Sequence, residues 1–144
     1  EPGPGLESND AQSKLRVLVA NDEPVTLQIL NSIFKTKLRV KEENLQLAYD
    51  GMEAVALAKQ SHFDIIVMDL NMPNLSGGEA TLQIREFYRS KAEHPAANEE
   101  PSRRPYIVAL TASQITRELE RECKEDEFDD WFSSPLDPDT IQRE

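Results

Sequence analysis

The 144-residue sequence contains a single cysteine, Cys123. One thiol cannot form an internal disulfide or a cysteine-based metal cluster, so a reducing cytoplasmic setting is expected. Long apolar runs are also missing, since none approaches the roughly 20 residues that a membrane-spanning helix needs. The acidic first residues do not resemble a signal peptide. We therefore expect a soluble, cytoplasmic protein without a membrane segment.

Basic residues are outnumbered, with 16 Lys and Arg against 27 Asp and Glu and a net charge of -11. Nucleic acids and anionic membranes would be repelled by this charge, so neither is expected as a partner. A cation or a basic protein surface is a better match. The length fits one domain that can bury a sizeable core.

The chain is expected to divide into a short linker and one domain. Residues 1–13 are rich in proline and glycine and hold few apolar side chains, which predicts a linker or an expression remnant. Residues 14–144 form the predicted domain, with a polar surface loop at 91–104. Asp137 and Pro138 open a final helix for which only about two turns remain. We expect this helix to be truncated and the natural protein to continue.

Five apolar stretches predict β-strands, and helical apolar spacing follows the first four. The strands are expected at 15–20, 45–49, 65–68, 106–110 and 131–133. In the first helix, Val25 and Ile29 recur at helical spacing with Leu30, Ile33 and Phe34. Alternating strands and helices are typical of a doubly wound α/β fold, with a parallel sheet covered on both faces.

Polar residues follow the predicted strands at one edge of this sheet. They are Asp22 after the first strand, Asp69 after the third, Thr111 after the fourth and Ser134 after the fifth. Two carboxylates with a carbonyl from the loop after Asp69 suit Mg²⁺. A carboxylate beside such a metal can accept a phosphoryl group, and Thr111 could bond the new oxygens. The simpler interpretation is that both aspartates merely end their strands.

With these residues the sequence resembles the receiver domain of two-component response regulators and hybrid histidine kinases. The resemblance rests on residues 17–24, on 64–73 with Gly77, on 109–112 and on 128–136. It implies a flavodoxin-like sheet of order 2-1-3-4-5. It also implies that a histidine kinase or a histidine phosphotransfer protein donates phosphate to Asp69, in a phosphorelay and without other enzymatic activity.

The resemblance assigns roles to individual residues. Asp22, Asp69 and the backbone carbonyl of Asn71 would bind Mg²⁺, with Asn21 in the outer shell of the metal. Thr111 and Trp131 would change position together as the switch. The remaining assignments are phosphoryl contacts at Ala112 and Ser134, an influence on phosphoryl lifetime at Asn71 and Ser113, and a homodimer through the face of the fourth helix and fifth strand.

Two departures from the family pattern favour an alternative, a degenerate receiver that binds partners without phosphotransfer. Asn21 replaces an acidic residue, and Ser134 replaces a lysine that would contact the phosphoryl group. A charged donor contributes about 1.5–3 kcal/mol, against roughly 0.5–1.5 kcal/mol for a neutral hydrogen bond. Glu127 also stands where a glycine is usual.

Two further protein classes remain as competing hypotheses. A phosphatase with an aspartate nucleophile commonly has a second aspartate two residues later, where this chain has Asn71. A flavodoxin-type ligand binder would need a glycine-rich loop after the first strand, and none is present.

Overall fold

The computed structural model describes residues 14–93, 103–112 and 114–133. The predictions for residues 1–13, for most of the polar loop, for Ser113 and for residues 134–144 lie outside the described residues. The strands are β1 (Val17–Ala20), β2 (Leu45–Ala48), β3 (Ile65–Asp69), β4 (Tyr106–Thr111) and β5 (Asp130–Ser133). The α-helices are α1 (Pro24–Thr36), α2 (Gly51–Gln60), α3 (Gly77–Glu93) and α4 (Arg117–Glu125).

The five strands form one parallel sheet in the order β2-β1-β3-β4-β5, which confirms the predicted flavodoxin-like topology. All four residues of β1 and the middle of β3 are buried, because helices cover both faces of a sheet of this kind. Apolar residues accordingly form two core clusters. No helix in the described part of the chain is long and apolar enough to cross a bilayer.

Helix α1 buries only some of the apolar residues that recur along it at helical spacing. The buried residues are Leu27, Leu30 and Phe34, whose spacing of three and four places them on one side of the helix. Val25 and Ile29 belong to the same helical apolar pattern but are 63% and 55% exposed. Apolar residues occur on both sides of this helix, and only packing against the sheet distinguishes the two.

The beginnings of the other helices follow local capping rules. Asp50 accepts a hydrogen bond from the Glu53 amide as the cap of α2. Helix α3 begins at Gly77. The Ser76 hydroxyl accepts a hydrogen bond from the Glu79 amide and stabilises the first helical turn.

A buried arginine joins three segments at the edge of the sheet where β4 and β5 begin. Arg85 on α3 is 3% exposed and donates to the carbonyls of Pro105 and Glu127 and to the Asp129 carboxylate, at 2.7–3.0 Å. Glu127 has a φ of 65°, a left-handed conformation that glycine adopts at lower cost. Its side chain pairs with Arg89, and its carbonyl is one of the oxygens that Arg85 binds.

Candidate functional site at the ends of the strands

The carboxyl ends of β1, β3 and β4 surround one cleft. Parallel register sets Ala20 beside Met68 and Asp69 beside Leu110, so the residues that follow β1 and β4 reach the same edge as Asp69. The cleft has a volume of about 280 Å³. Its lining is Asn21, Asp22, Glu23, Thr26, Asp69, Asn71, Leu110, Thr111 and Ala112.

Asp69 is half-buried at the end of β3, and its ionisation is shifted by its surroundings. Burial is the main cause that raises the pKa of Asp69 to about 6, and the charge of the Asp22 carboxyl and a hydrogen bond with it contribute to the same shift. The Asn71 amide opposes this shift by donating to Asp69 Oδ1 at 3.3 Å. The cleft therefore contains a carboxylate that resists ionisation and a second, exposed carboxylate beside it.

The oxygen atoms in this cleft suit a hard divalent cation. The described residues contain no group of three or more His, Cys, Asp or Glu side chains that could hold a metal. Mg²⁺, however, commonly binds through only one or two carboxylates, together with water and phosphate oxygens. A divalent cation would also relieve the repulsion between Asp22 and Asp69 that disfavours ionisation. Asp22, Asp69 and the carbonyl of Asn71 therefore fit the predicted metal.

Asn21 lines the cleft, and its side chain is hydrogen-bonded within the turn that follows β1. It is 6% exposed, and its Oδ1 atom accepts a hydrogen bond from the Glu23 amide at 2.8 Å. Its own amide donates to the Ala48 carbonyl. This neutral side chain stabilises the turn after β1 but adds no negative charge for a metal.

Glu23 has a structural role that the sequence did not reveal. In the structure its carboxylate accepts from the Val25 amide at 3.2 Å and caps α1, while Glu23 also lines the cleft. The signal was present, because Pro24 at the first helical position marks the preceding residue as a cap.

The two predicted switch residues lie on neighbouring strands. Thr111 ends β4, is 2% exposed and lines the cleft, and Trp131 on β5 is half-buried against the larger core cluster. The register pairs Trp131 with Ala109, two residues before Thr111. Ala112, the predicted phosphoryl contact, lies at the exposed rim of the cleft. These positions are compatible with a joint movement, which stays a prediction.

A second hollow of about 300 Å³ adjoins the cleft between α3 and α4 and was not expected from the sequence. It is lined by Leu70, Asn71, Ser76, Gly78, Thr111, Leu119, Glu122, Cys123 and Asp126. Burial and nearby acidic residues raise the pKa of Cys123 to about 11, so the thiol stays protonated and unreactive.

A doubly wound parallel sheet of order β2-β1-β3-β4-β5 with an acidic cleft at its strand ends is a flavodoxin-like architecture. Residues 17–144 match the family described as response regulator receiver domain. The chain belongs to this family. Receiver domains are generally signalling modules without enzymatic activity.

Relatives and solved structures agree with this assignment. The chain is 32% identical over 123 residues to hybrid signal transduction histidine kinase G of Dictyostelium discoideum, covering 85% of this chain and 3% of the kinase. The receiver domain of Ssk1 from Saccharomyces cerevisiae, solved in complex with the histidine phosphotransfer protein Ypd1, is 30% identical with a TM-score of 0.75. That match covers 91% of this chain and 86% of the other.

A third similar structure contains a metal. The receiver domain of the sensor histidine kinase PA1611 from Pseudomonas aeruginosa is 27% identical, with a TM-score of 0.70 and coverage of 90% of this chain and 92% of that one. It was solved with a magnesium ion in the active site cleft. The present chain spans 20% or less of the length of the curated relatives that it matches.

Proposed function

We propose that this receiver domain accepts a phosphoryl group on Asp69 from a phosphohistidine of a histidine kinase or a histidine phosphotransfer protein. The observation that carries this proposal is the cleft, which brings Asp69, Asp22 and Thr111 together from three separate strand ends. The complex of a similar receiver with a phosphotransfer protein supports the class of donor.

Asp69 would act as the nucleophile. One carboxylate oxygen forms a bond to phosphorus while the phosphorus–nitrogen bond to the donor histidine breaks, and the electron pair of that bond returns to the imidazole. Because its pKa of about 6 lies below neutral pH, Asp69 is mostly ionised at pH 7 and can attack. Asp22 and the carbonyl of Asn71 would hold Mg²⁺ with Asp69, and the metal would neutralise charge on the phosphoryl oxygens.

Residues of β4 would receive the transferred group. The hydroxyl of Thr111 can donate to a phosphoryl oxygen, and the exposed backbone at Ala112 lies beside it. A shift of Thr111 towards the phosphoryl group would leave space that Trp131 can enter. Ser113 and Ser134 retain their predicted roles as proposals.

The surface beside the cleft supports docking of a donor protein. The phosphohistidine must reach Asp69, so the donor must cover the rim of the cleft. Glu23 and Thr26 line the cleft, while Val25 and Ile29 on the same helix expose apolar side chains to solvent.

The homodimer through α4 and β5 and the cytoplasmic location stay predictions.

A small phosphodonor tests the acceptor directly. Incubation with Mg²⁺ and acetyl phosphate should add the mass of one phosphoryl group, and the adduct should be lost in alkali, as expected for an acyl phosphate. Asp69→Asn should stay unmodified under the same conditions. An unmodified wild-type protein would remove the support for phosphotransfer.

The degenerate receiver remains the second candidate, because the engaged amide of Asn21 supplies no charge for a metal. It would bind its partner equally well with and without Mg²⁺ and phosphodonor. Comparison of partner affinity under the two conditions distinguishes the candidates.

A further inference from the structure

The loop between β3 and α3 carries the carbonyl of Asn71 and is closed by its own backbone. The Gly77 amide donates to the Leu70 carbonyl at 3.0 Å, and the Leu75 amide donates to the Pro73 carbonyl at 2.7 Å. A Cβ atom on Gly77 would lie 2.1 Å from the Asp69 carbonyl oxygen. Both ends of the loop are therefore held against the end of β3.

A side-chain contact ties the tip of this loop to α2. Asn74 Nδ2 donates to Asp50 Oδ2 at 2.9 Å, while Asp50 Oδ1 accepts from the Glu53 amide at 2.8 Å. One carboxylate thus caps the helix with one oxygen and holds the loop with the other. Both hydrogen bonds lower the pKa of Asp50, as expected when they favour its ionised form.

The backbone conformation of Asn74 fits this contact. Its φ is 69°, in the left-handed region that asparagine tolerates better than most residues. The loop turns at this residue, and the turn brings the amide group to the first turn of α2. Replacement by glycine would keep the turn and remove only the side chain.

The loop also passes close to the backbone of the first residue of α2. A Cβ atom on Gly51 would lie 2.1 Å from the Leu75 carbonyl oxygen and 2.9 Å from Leu75 Cβ. The first residue of α2 therefore leaves room for the loop to pass. The Asn74–Asp50 hydrogen bond holds the loop at this helix, and the lack of a side chain at Gly51 lets it approach closely.

We propose that Asp50 and Asn74 are positioning residues, which fix the loop on α2 so that the carbonyl of Asn71 points into the metal site. This inference rests on the proposed function, because it assigns these residues an effect on Mg²⁺ binding. They touch neither the metal nor the phosphoryl group. Their effect is transmitted through the short, closed loop.

A double-mutant cycle tests this coupling. Asn74→Gly removes the contact and keeps the left-handed turn, and Asp50→Ser removes it and keeps a helix cap. Each single variant should bind Mg²⁺ about two- to tenfold more weakly by calorimetry, the equivalent of one net hydrogen bond. The double variant should bind Mg²⁺ no more weakly than the single variant with the lower affinity, because both substitutions remove the same contact.

Gly51→Ala tests the loop by a route that leaves the hydrogen-bonding groups in place. Alanine favours the helix more than glycine does, so the helix itself should not suffer. Its methyl group must push the Leu75 carbonyl away, and Mg²⁺ binding should weaken although the protein stays folded. Lys35→Ala is the control, since it removes an exposed ion pair with Glu42 at the far end of α1.

Hydrogen exchange of the metal-free protein supplies a second readout. Amides of residues 71–77 should exchange faster in Asn74→Gly and Asp50→Ser than in the wild type or the control. Unchanged Mg²⁺ affinity and unchanged exchange in the folded variants would overturn the inference and leave the proposed function intact. A wild type that does not bind Mg²⁺ would instead contradict the proposed function, while exchange would still report whether the contact orders the loop.

Discussion

Asp69→Asn should make the folded domain more stable at neutral pH. In the folded state burial raises the pKa of Asp69 from 3.8 to about 6, so ionisation opposes folding. A shift of roughly two pH units corresponds to about 3 kcal/mol. Because the group is only half-buried and partly screened, we expect a gain of about 1–2 kcal/mol in the free energy of unfolding.

The sign of this effect fixes its dependence on pH. Below about pH 3.8 Asp69 is protonated in both the folded and the unfolded state, so the variant gains nothing there. The destabilisation grows between about pH 4 and pH 6 and is complete above that range. The advantage of Asp69→Asn over the wild type should therefore appear as pH rises through this window.

Urea unfolding followed by the fluorescence of Trp131 measures the difference. The wild type and Asp69→Asn should be compared at pH 3.5 and at pH 7.5, without divalent cations. Equal stability at pH 7.5, or an advantage that persists at pH 3.5, would refute the reasoning. Mg²⁺ should then stabilise the wild type more than the variant, because only the wild type keeps the Asp69 carboxylate.

Three further predictions concern the metal, the buried arginine and the donor. Asn21→Asp should tighten Mg²⁺ binding about tenfold, measured by calorimetry, since a charge roughly 5 Å from a divalent ion contributes about 1.5 kcal/mol even in water. An unchanged Mg²⁺ affinity would show that residue 21 is too far from the metal to interact with it electrostatically. Asp129→Ala should lower the free energy of unfolding by about 2–3 kcal/mol, measured with urea, because Arg85 loses its charged partner. A loss below about 0.5 kcal/mol would mean that the two backbone carbonyls are sufficient partners for the guanidinium. Val25→Asp and Ile29→Asp should slow phosphorylation by a phosphotransfer protein and leave phosphorylation by acetyl phosphate unchanged; equal slowing with both donors would contradict the docking surface.

The strand-end residues of the site could be predicted from the sequence because their placement depends on topology. Once β1, β3 and β4 are parallel neighbours, Asp22, Asp69 and Thr111 must reach one edge of the sheet. The pattern of apolar stretches decides this arrangement, and no side-chain detail is required. The fold and the composition of the cleft were accordingly the most predictable features.

Contacts between distant segments could not be predicted in this way. Arg85 binds groups 20, 42 and 44 residues away, and Asn74 binds Asp50 across 24 residues. In the sequence, Arg85 and Asn74 look like ordinary polar residues of a helix and a loop. The apolar spacing of α1 likewise did not show which of its two apolar sides is buried, because the sheet decides which side is covered.

The acceptors of Arg85 have a consequence for tolerance to mutation. Two of its three partners are backbone carbonyls, those of Pro105 and Glu127, which every amino acid possesses. Substitutions at those two positions can change the side chain and still leave an oxygen for the guanidinium, provided that the chain keeps its path. The contact between α3 and the segments before β4 and β5 thus depends mainly on the side chains of Arg85 and Asp129, and at Pro105 and Glu127 it depends on the path of the backbone rather than on the side chain.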